Sequence, residues 1–137
     1  MIRTLLDTGP LVAYFSASDA WHRWTSEQMK SLAPPLLVCE PVLAEACFLI
    51  ERNGGRPWDV IRKLREGILS VALEVETEAA AIETLMARYA DMPMSLADAC
   101  LVRLSELHRD SRVLTLDRDF NRYRRHGRQA IPLLSPW

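Results

Sequence analysis

Short apolar runs alternate with longer amphipathic segments along the chain. The first run, residues 2–6, ends at Asp7-Thr8-Gly9-Pro10, which is typical of a buried strand that leaves its sheet through a turn. Further strands are predicted at residues 36–39, 69–75, 112–116 and 131–134, and helices at residues 11–16, 20–32, 41–52, 58–67, 77–90 and 95–108. Strands separated by helices indicate an α/β fold with a mainly parallel sheet.

Acidic residues stand at four of the predicted element boundaries. Asp7 ends the first strand, and Asp117 ends the strand that follows the last long helix. Glu45 lies in the opening turns of the helix after the second strand, and Asp98 lies in the first turn of the last long helix. Ligands of parallel sheets bind beyond the carboxyl ends of the strands, where the helices also begin. The four acids are therefore predicted to share one edge of the sheet.

Glu45 is unusual because its neighbours three and four residues away, Pro41, Val42, Phe48 and Leu49, are apolar. Its carboxylate is therefore expected on the helix face that the fold buries. Buried, ionised carboxylates are costly unless cations compensate them, and an all-oxygen cluster suits Mg²⁺ or Mn²⁺ better than a softer metal. The four acids together predict a divalent-metal site.

Each acid also has a purely structural interpretation, which the sequence leaves open. Asp98 stands three residues after Ser95 and is equally well explained as part of a helix capping box. Asp7 and Asp117 could each be turn residues that accept hydrogen bonds from nearby backbone amides.

The composition fits one domain with a hydrophobic core, since 49% of the 137 residues are hydrophobic and 26% are charged. Lys and Arg number 17 against 18 Asp and Glu, which argues against a wholly basic nucleic-acid-binding protein. The bases are nevertheless concentrated near one end, because residues 101–137 contain eight Arg and four acidic residues. A phosphate group is therefore expected to bind near that end of the chain.

Several classes of protein are disfavoured by the sequence. The apolar run at residues 41–50 is interrupted by Glu45 and is far shorter than the roughly 18 to 20 residues that span a bilayer. No secretory signal is predicted, and Cys39, Cys47 and Cys100 lack metal-binding or CxxC spacing. We therefore expect a reduced, cytoplasmic protein that does not interact with membranes.

Four motifs, in order along nearly the whole chain, resemble those of one known family. They are Asp7-Thr8-Gly9, Ala44-Glu45, Leu96-Ala97-Asp98-Ala99 and Leu114-Thr115-Leu116-Asp117-Arg118-Asp119-Phe120. The sequence resembles the PIN-domain ribonucleases of the VapC toxin type. The resemblance implies that residues 1–137 form a single PIN domain, which is a three-layer α/β/α fold with a mainly parallel central sheet flanked by helices.

The resemblance also implies roles for individual residues. The implied metal-binding, catalytic carboxylates, which would hold Mg²⁺ or Mn²⁺, are Asp7, Glu45, Asp98 and Asp117. Thr8 and Thr115 match hydroxyl positions that support the acids in the family, and Asp119 matches an auxiliary acid found in many members.

The implied activity is that of a metal-dependent endoribonuclease, in which activated water attacks the RNA phosphodiester and leaves a 5′-phosphate. A metal-free mechanism with two histidines has little support, because His22, His108 and His126 form no evident acid–base pair.

The resemblance further implies the toxin of a type II toxin–antitoxin pair, which forms a homodimer and is inhibited by a VapB-like antitoxin. One alternative is a non-catalytic RNA- or protein-binding module with the same fold. A phosphatase with Asp7 as nucleophile ranks last, because a second acid two residues further on is missing.

Arginines and tryptophans are candidate RNA contacts. The arginines that follow the last site acid and could guide the RNA backbone are Arg118, Arg122, Arg124, Arg125 and Arg128. A solvated surface explains these arginines equally well. Trp21, Trp24 and Trp58 could stack on bases, but helical spacing favours core or partner contacts. Tryptophans exposed on the helix from residue 20 would suit a groove that the antitoxin covers.

Overall fold

The apolar runs form strands in the computed structural model, which describes residues 1–137. The seven strands are β1 (Arg3–Leu6), β2 (Leu36–Val38), β3 (Leu69–Val71), β4 (Ser111–Leu114), β5 (Arg124–Arg125), β6 (Gln129–Ala130) and β7 (Leu133–Leu134). Five of them form one sheet in the order β3-β2-β1-β4-β7, and all neighbours in it are parallel. β5 and β6 pair as a separate antiparallel hairpin.

Helices flank the central sheet and complete an α/β/α arrangement, as predicted. They are α1 (Thr8–Phe15), α2 (His22–Lys30), α3 (Glu40–Arg52), α4 (Trp58–Arg65), α5 (Ala79–Arg88) and α6 (Leu96–Leu107), and a 3₁₀ helix spans Arg118–Asn121. None of these helices is both long enough and apolar enough to cross a membrane.

The order of the strands creates a crevice beside β1. The chain builds outward from β1 through β2 to β3, and it then returns to place β4 on the other side of β1. The connections after β1 and β4 therefore diverge to opposite sides of the sheet. In open parallel sheets, ligands bind at the carboxyl edge where the strand order reverses in this way.

The core lies on both sides of the sheet, as expected for parallel strands covered by helices. Leu5 and Leu6 of β1 point to opposite faces and are fully buried, and so is Leu114 of β4. α6 contributes Leu101 and Leu104, which are also fully buried. This packing holds β1 and β4 rigidly, so the residues that follow them are placed by the core.

All five strands of the central sheet are shorter than predicted, β3 by the most residues. The strand predicted at residues 69–75 ends at Val71, because its only neighbour, β2, ends at Val38 where α3 is about to begin. The strand predicted at residues 112–116 is Ser111–Leu114, although the Thr115 N–H still donates to the Leu134 carbonyl at 3.1 Å.

The hairpin of β5 and β6 is missing from the predicted elements. Its turn has two residues with positive φ, His126 at 52° and Gly127 at 80°, and glycine adopts this conformation without strain. The His126 N–H donates to Glu106 Oε2 at 2.7 Å, which ties the turn to α6. His126-Gly127 is the local signal for this hairpin, but strands of two residues carry no periodic pattern.

Two leucines of α6 provide a matched test of the core. Leu101 is 0% exposed and Leu107 is 44% exposed. We expect Leu101→Ala to lower the free energy of unfolding by about 2–5 kcal/mol, since it leaves a cavity in the core. Leu107→Ala should change it by less than about 0.5 kcal/mol. Urea unfolding monitored by circular dichroism measures both, and equal effects of the two substitutions would contradict the described core.

Candidate active site

Asp7 and Thr115 form a buried link between the ends of β1 and β4. Asp7 begins α1, and its Oδ1 accepts a hydrogen bond from the Thr8 N–H at 2.8 Å. Asp7 Oδ2 accepts from the Thr115 hydroxyl at 2.7 Å, and both side chains are buried. The same hydroxyl oxygen accepts from the Asp117 N–H at 2.9 Å. One threonine therefore sets the position of two of the predicted acids.

Asp117 begins the 3₁₀ helix after β4. Its Oδ1 accepts from the Asp119 N–H at 2.9 Å, so one oxygen is used in the turn and Oδ2 makes no protein hydrogen bond. The carboxylate of Asp119 instead lies 3.9 Å from the guanidinium of Arg122. Asp119 thus helps to hold Asp117 through its backbone.

Asp98 has the capping role that the sequence left open. It forms a capping box at the start of α6, in which the Ser95 N–H donates to Asp98 Oδ2 at 2.9 Å and the Asp98 N–H donates to Ser95 Oγ at 3.0 Å. The fully buried Tyr123 hydroxyl lies 3.4 Å from the same carboxylate oxygen, which it faces as a donor. The capping oxygen is therefore held from two sides, while Oδ1 has no protein hydrogen bond.

Glu45 is exposed, so the expectation that α3 buries it is wrong. The buried stripe of α3 consists of Val42, Leu43, Ala46 and Ile50, and Glu45 lies beside this stripe. Glu45 still reaches the other acids, because the Thr8 hydroxyl donates to its Oε1 at 2.9 Å. Thr8 therefore contacts two acids, Asp7 through its N–H and Glu45 through its hydroxyl.

The acids influence one another electrostatically. Burial raises the pKa of Asp7 to about 7, and the negative charges of Asp98 and Asp117 add to this effect against the two hydrogen bonds from the threonines. Burial also raises the pKa of Asp98, with smaller contributions from Asp117 and Glu45. No arginine or lysine forms an ion pair with any of the four carboxylates. The edge therefore carries negative charge that the protein itself leaves uncompensated.

The donor atoms at this edge fit a hard divalent cation. All of them are carboxylate oxygens, the ligands that Mg²⁺ and Mn²⁺ prefer. As the side chains stand, they form no group of three ligands that could hold one ion. Asp98 Oδ1 and Asp117 Oδ2 are free of protein hydrogen bonds and are therefore available to a cation. The chemistry of the carboxylates fits a divalent cation, although the side chains do not converge into a complete coordination site.

The comparison with known families decides the identity of the fold. Residues 4–126 match the PIN domain family. The chain belongs to the PIN-domain family. Ribonuclease VapC26 of Mycobacterium tuberculosis is 33% identical to it over 116 residues, which cover 83% of this chain and 86% of that protein. The predicted resemblance to the VapC type is therefore confirmed.

A solved structure shows the same fold. The crystal structure of Mycobacterium tuberculosis VapC20, described as a toxin that cleaves the sarcin-ricin loop, matches with a TM-score of 0.72. The match covers 85% of this chain and 91% of that chain at 22% identity. This PIN domain therefore shares the architecture of VapC20.

The arginines of this PIN domain are not all available to a ligand. Arg125 is only 4% exposed, and its guanidinium donates to the carbonyls of Ser105 and Arg109 at 3.1 Å each. Arg124 is half-buried and donates to the carbonyls of Asn121 and Tyr123 at 2.8 and 3.0 Å. Arg118 and Arg122 are exposed. Arg125 thus anchors the β5–β6 hairpin to α6, because carbonyls at the end of that helix need donors.

The tryptophans near α2 are partly buried. Trp21 precedes α2 rather than lying on it, and Trp21 and Trp24 are half-buried with their ring centroids 6.5 Å apart. Their contact agrees with the core or partner contacts that helical spacing favours over base stacking. Tyr123 and Trp137 were not among the predicted site residues, although Tyr123 follows the Asp117 motif at short spacing with Phe120.

The raised pKa of Asp7 predicts a pH-dependent effect of Asp7→Asn on stability. The pKa of Asp7 is about 7 in the folded protein against 3.8 as its ordinary value, so ionised Asp7 destabilises the fold. This destabilisation is fully present above about pH 7 and disappears as the pH falls towards 3.8. Asp7→Asn should therefore raise the Tm of the metal-free protein by roughly 5 °C at pH 8 and by less at pH 5.

Thermal unfolding in EDTA across this pH range measures the effect. Glu51→Gln is the control, since Glu51 is an exposed acid of α3 and its substitution should leave the Tm nearly unchanged. A lower Tm for Asp7→Asn at every pH would show that the two hydrogen bonds outweigh the charge.

Proposed function

We propose that this PIN domain is a Mg²⁺- or Mn²⁺-dependent endoribonuclease that hydrolyses RNA phosphodiester bonds. The observation that carries the proposal is a set of four carboxylates beyond the carboxyl ends of β1 and β4, none of which has a cationic partner. Thr8 and Thr115 link three of them, Asp7, Glu45 and Asp117. The fourth, Asp98, is close enough for its charge to raise the pKa of Asp7. The name of the relative, ribonuclease VapC26, supports the same activity.

The residues proposed to hold the cation are Asp7, Glu45, Asp98 and Asp117. When bound, Mg²⁺ or Mn²⁺ would lower the pKa of the attacking water and neutralise charge on the scissile phosphate. Attack by water leaves a 5′-phosphate and a 3′-hydroxyl, which needs no participation of the ribose 2′-hydroxyl.

Other residues of the chain orient the acids and the RNA. The Thr115 hydroxyl keeps Asp7 and Asp117 aligned, and the Thr8 hydroxyl holds Glu45. Exposed Arg118 and Arg122 are proposed to attract the RNA backbone, because Arg118 is adjacent to Asp117 and Arg122 lies at the end of the 3₁₀ helix that Asp117 caps. Arg124 and Arg125 are assigned to the fold, since their guanidinium groups bind backbone carbonyls.

We further propose that the protein is the toxin of a type II toxin–antitoxin pair in the cytoplasm, with residues 1–137 forming a single PIN domain. A VapB-like antitoxin and a second copy of the chain are the proposed protein partners. The VapC type of the relatives supports this, and the three free cysteines agree with a reducing compartment. Large apolar side chains exposed at Phe48, Trp58 and Ile61 agree with protein partners.

Single substitutions at the acids test the activity. Asp98→Asn and Glu45→Gln should each lower cleavage of a single-stranded RNA in Mg²⁺ by about a hundredfold, since loss of even an outer partner of a metal ligand costs about ten- to a hundredfold. EDTA should abolish cleavage, and Mg²⁺ or Mn²⁺ should restore it.

The matched control for Glu45→Gln is Glu51→Gln, which changes an exposed acid on the same helix and should leave the rate unchanged. Mapping of the product ends should give 5′-phosphates. Cleavage that persists in EDTA or in both acid variants excludes the proposed mechanism, and RNA binding without any cleavage favours the non-catalytic module.

The proposed homodimer has a direct test. Light scattering coupled to size-exclusion chromatography should give twice the 15.6 kDa mass of one chain. A monomer mass at every protein concentration would contradict it. Mixing with a VapB-like antitoxin that binds this chain should both increase this mass and inhibit cleavage.

A further inference from the structure

β4 and β7 deliver Trp137 to the edge of the sheet that carries the acids. Leu114 pairs with Leu134 in this parallel register, and the Thr115 N–H donates to the Leu134 carbonyl at 3.1 Å. Asp117 follows Leu114 by three residues, and Trp137 follows Leu134 by three residues. The two segments therefore leave the sheet side by side and in the same direction.

Trp137 makes a cation–π contact with the residue after Asp117. The guanidinium carbon of Arg118 lies 4.5 Å from the centroid of the Trp137 ring. The ring of Trp21 meets Trp137 edge-on, with centroids 5.3 Å apart and an interplanar angle of 81°. The Ser135 hydroxyl donates to the Trp137 carbonyl at 2.8 Å, which fixes the turn that presents the ring. The ring is thus held in place from two directions.

The same group remains open to a ligand. Trp137 is 42% exposed, whereas a ring that served only to cover Trp21 would bury its surface. Arg118 is exposed and forms no ion pair with any side-chain carboxylate. An aromatic ring can stack against another flat ring, and a neighbouring guanidinium group attracts an anionic group attached to that ring. An unpaired nucleobase with its phosphate has this chemistry.

We propose that Trp137 and Arg118 form a stacking site for one unpaired nucleobase of the RNA whose phosphodiester lies at the acids. The inference rests on the proposed function for the identity of the ligand. Arg118 is adjacent to Asp117 in the chain, so the stacked base belongs to a nucleotide beside the scissile phosphate. The site therefore selects RNA that is single-stranded at the cleavage position, because a paired base is unable to leave its helix without losing its partner.

Trp58 is a suitable control because it is 57% exposed but, unlike Trp137, makes neither a cation–π contact with an arginine nor a contact with another aromatic ring. It begins α4, and its ring makes no cation–π or aromatic contact. A substitution there removes an exposed tryptophan of the same type without touching the Trp137–Arg118 pair.

The test separates the base from the backbone of the ligand. Binding of a short single-stranded RNA is compared with binding of an abasic oligoribonucleotide of the same length, in Mg²⁺ and in an Asp98→Asn background that slows cleavage. Trp137→Ala should weaken binding of the base-containing RNA by about tenfold, as expected for loss of one base–aromatic stack. It should leave binding of the abasic oligonucleotide unchanged, and Trp58→Ala should change neither.

Arg118→Lys gives a second test that does not depend on the tryptophan. It keeps the positive charge of an exposed side chain but loses the planar group, so it should weaken binding of the base-containing RNA while binding of the abasic oligonucleotide is retained. Trp137→Phe should preserve most of the affinity, because it keeps an aromatic face.

The inference is overturned if Trp137→Ala binds the base-containing RNA as the background protein does, or if it weakens both oligonucleotides equally. Failure of the background protein to bind either oligonucleotide also overturns it. Cleavage by the unsubstituted chain is measured separately. Binding of RNA through Trp137 without any cleavage would contradict the proposed ribonuclease activity but would support the stacking site.

Discussion

The hydroxyl of Thr115 is the contact on which the candidate site depends. A threonine hydroxyl has one hydrogen to donate, and here it goes to Asp7 while the oxygen accepts from the Asp117 N–H. When Asp7 is ionised the reverse arrangement is impossible, because a backbone N–H does not accept and an ionised carboxylate does not donate. The direction of both bonds is fixed in that state, and burial of Thr115 removes the water that would compete for them. One oxygen atom therefore aligns two acids that follow neighbouring strands.

Helix starts provide the second constraint on the acids. Asp7, Asp98 and Asp117 each accept a backbone N–H at the beginning of a helix or 3₁₀ turn, where such groups lack partners within the helix. Each of these carboxylates is therefore oriented by the backbone N–H group that it caps. Burial destabilises the ionised form of Asp7, and the negative charges of Asp98 and Asp117 add to this effect, so the pKa of Asp7 is raised. The arrangement of the acids therefore lowers the stability of the metal-free fold when Asp7 is ionised.

The positions of the acids along the chain are predictable from sequence, whereas the directions of several side chains are not. An apolar run that ends in an acid locates both the strand and its edge, which is why the sequence analysis places Asp7 and Asp117 at the same edge as the structure does. The exposure of Glu45 depends on which side of α3 the other helices occupy, and this is tertiary information. The burial of Arg125 depends on a hairpin of two-residue strands. Trp137 meets Trp21 from the opposite end of the chain, which no local pattern indicates.

The pairing of Asp7 with Thr115 has a consequence for folding fidelity. In the parallel pair of β1 and β4, Leu6 lies opposite Leu114, so Asp7 and Thr115 come next on the two chains. A slip of one residue would place Leu114 or Leu116 opposite Asp7 and leave a buried carboxylate oxygen without a donor. A misaligned sheet would therefore lose stability at the same place where it lost the alignment of the candidate acids. Molecules trapped with the wrong strand alignment are expected to be short-lived, so a correctly paired sheet and an assembled candidate site should occur in the same molecules.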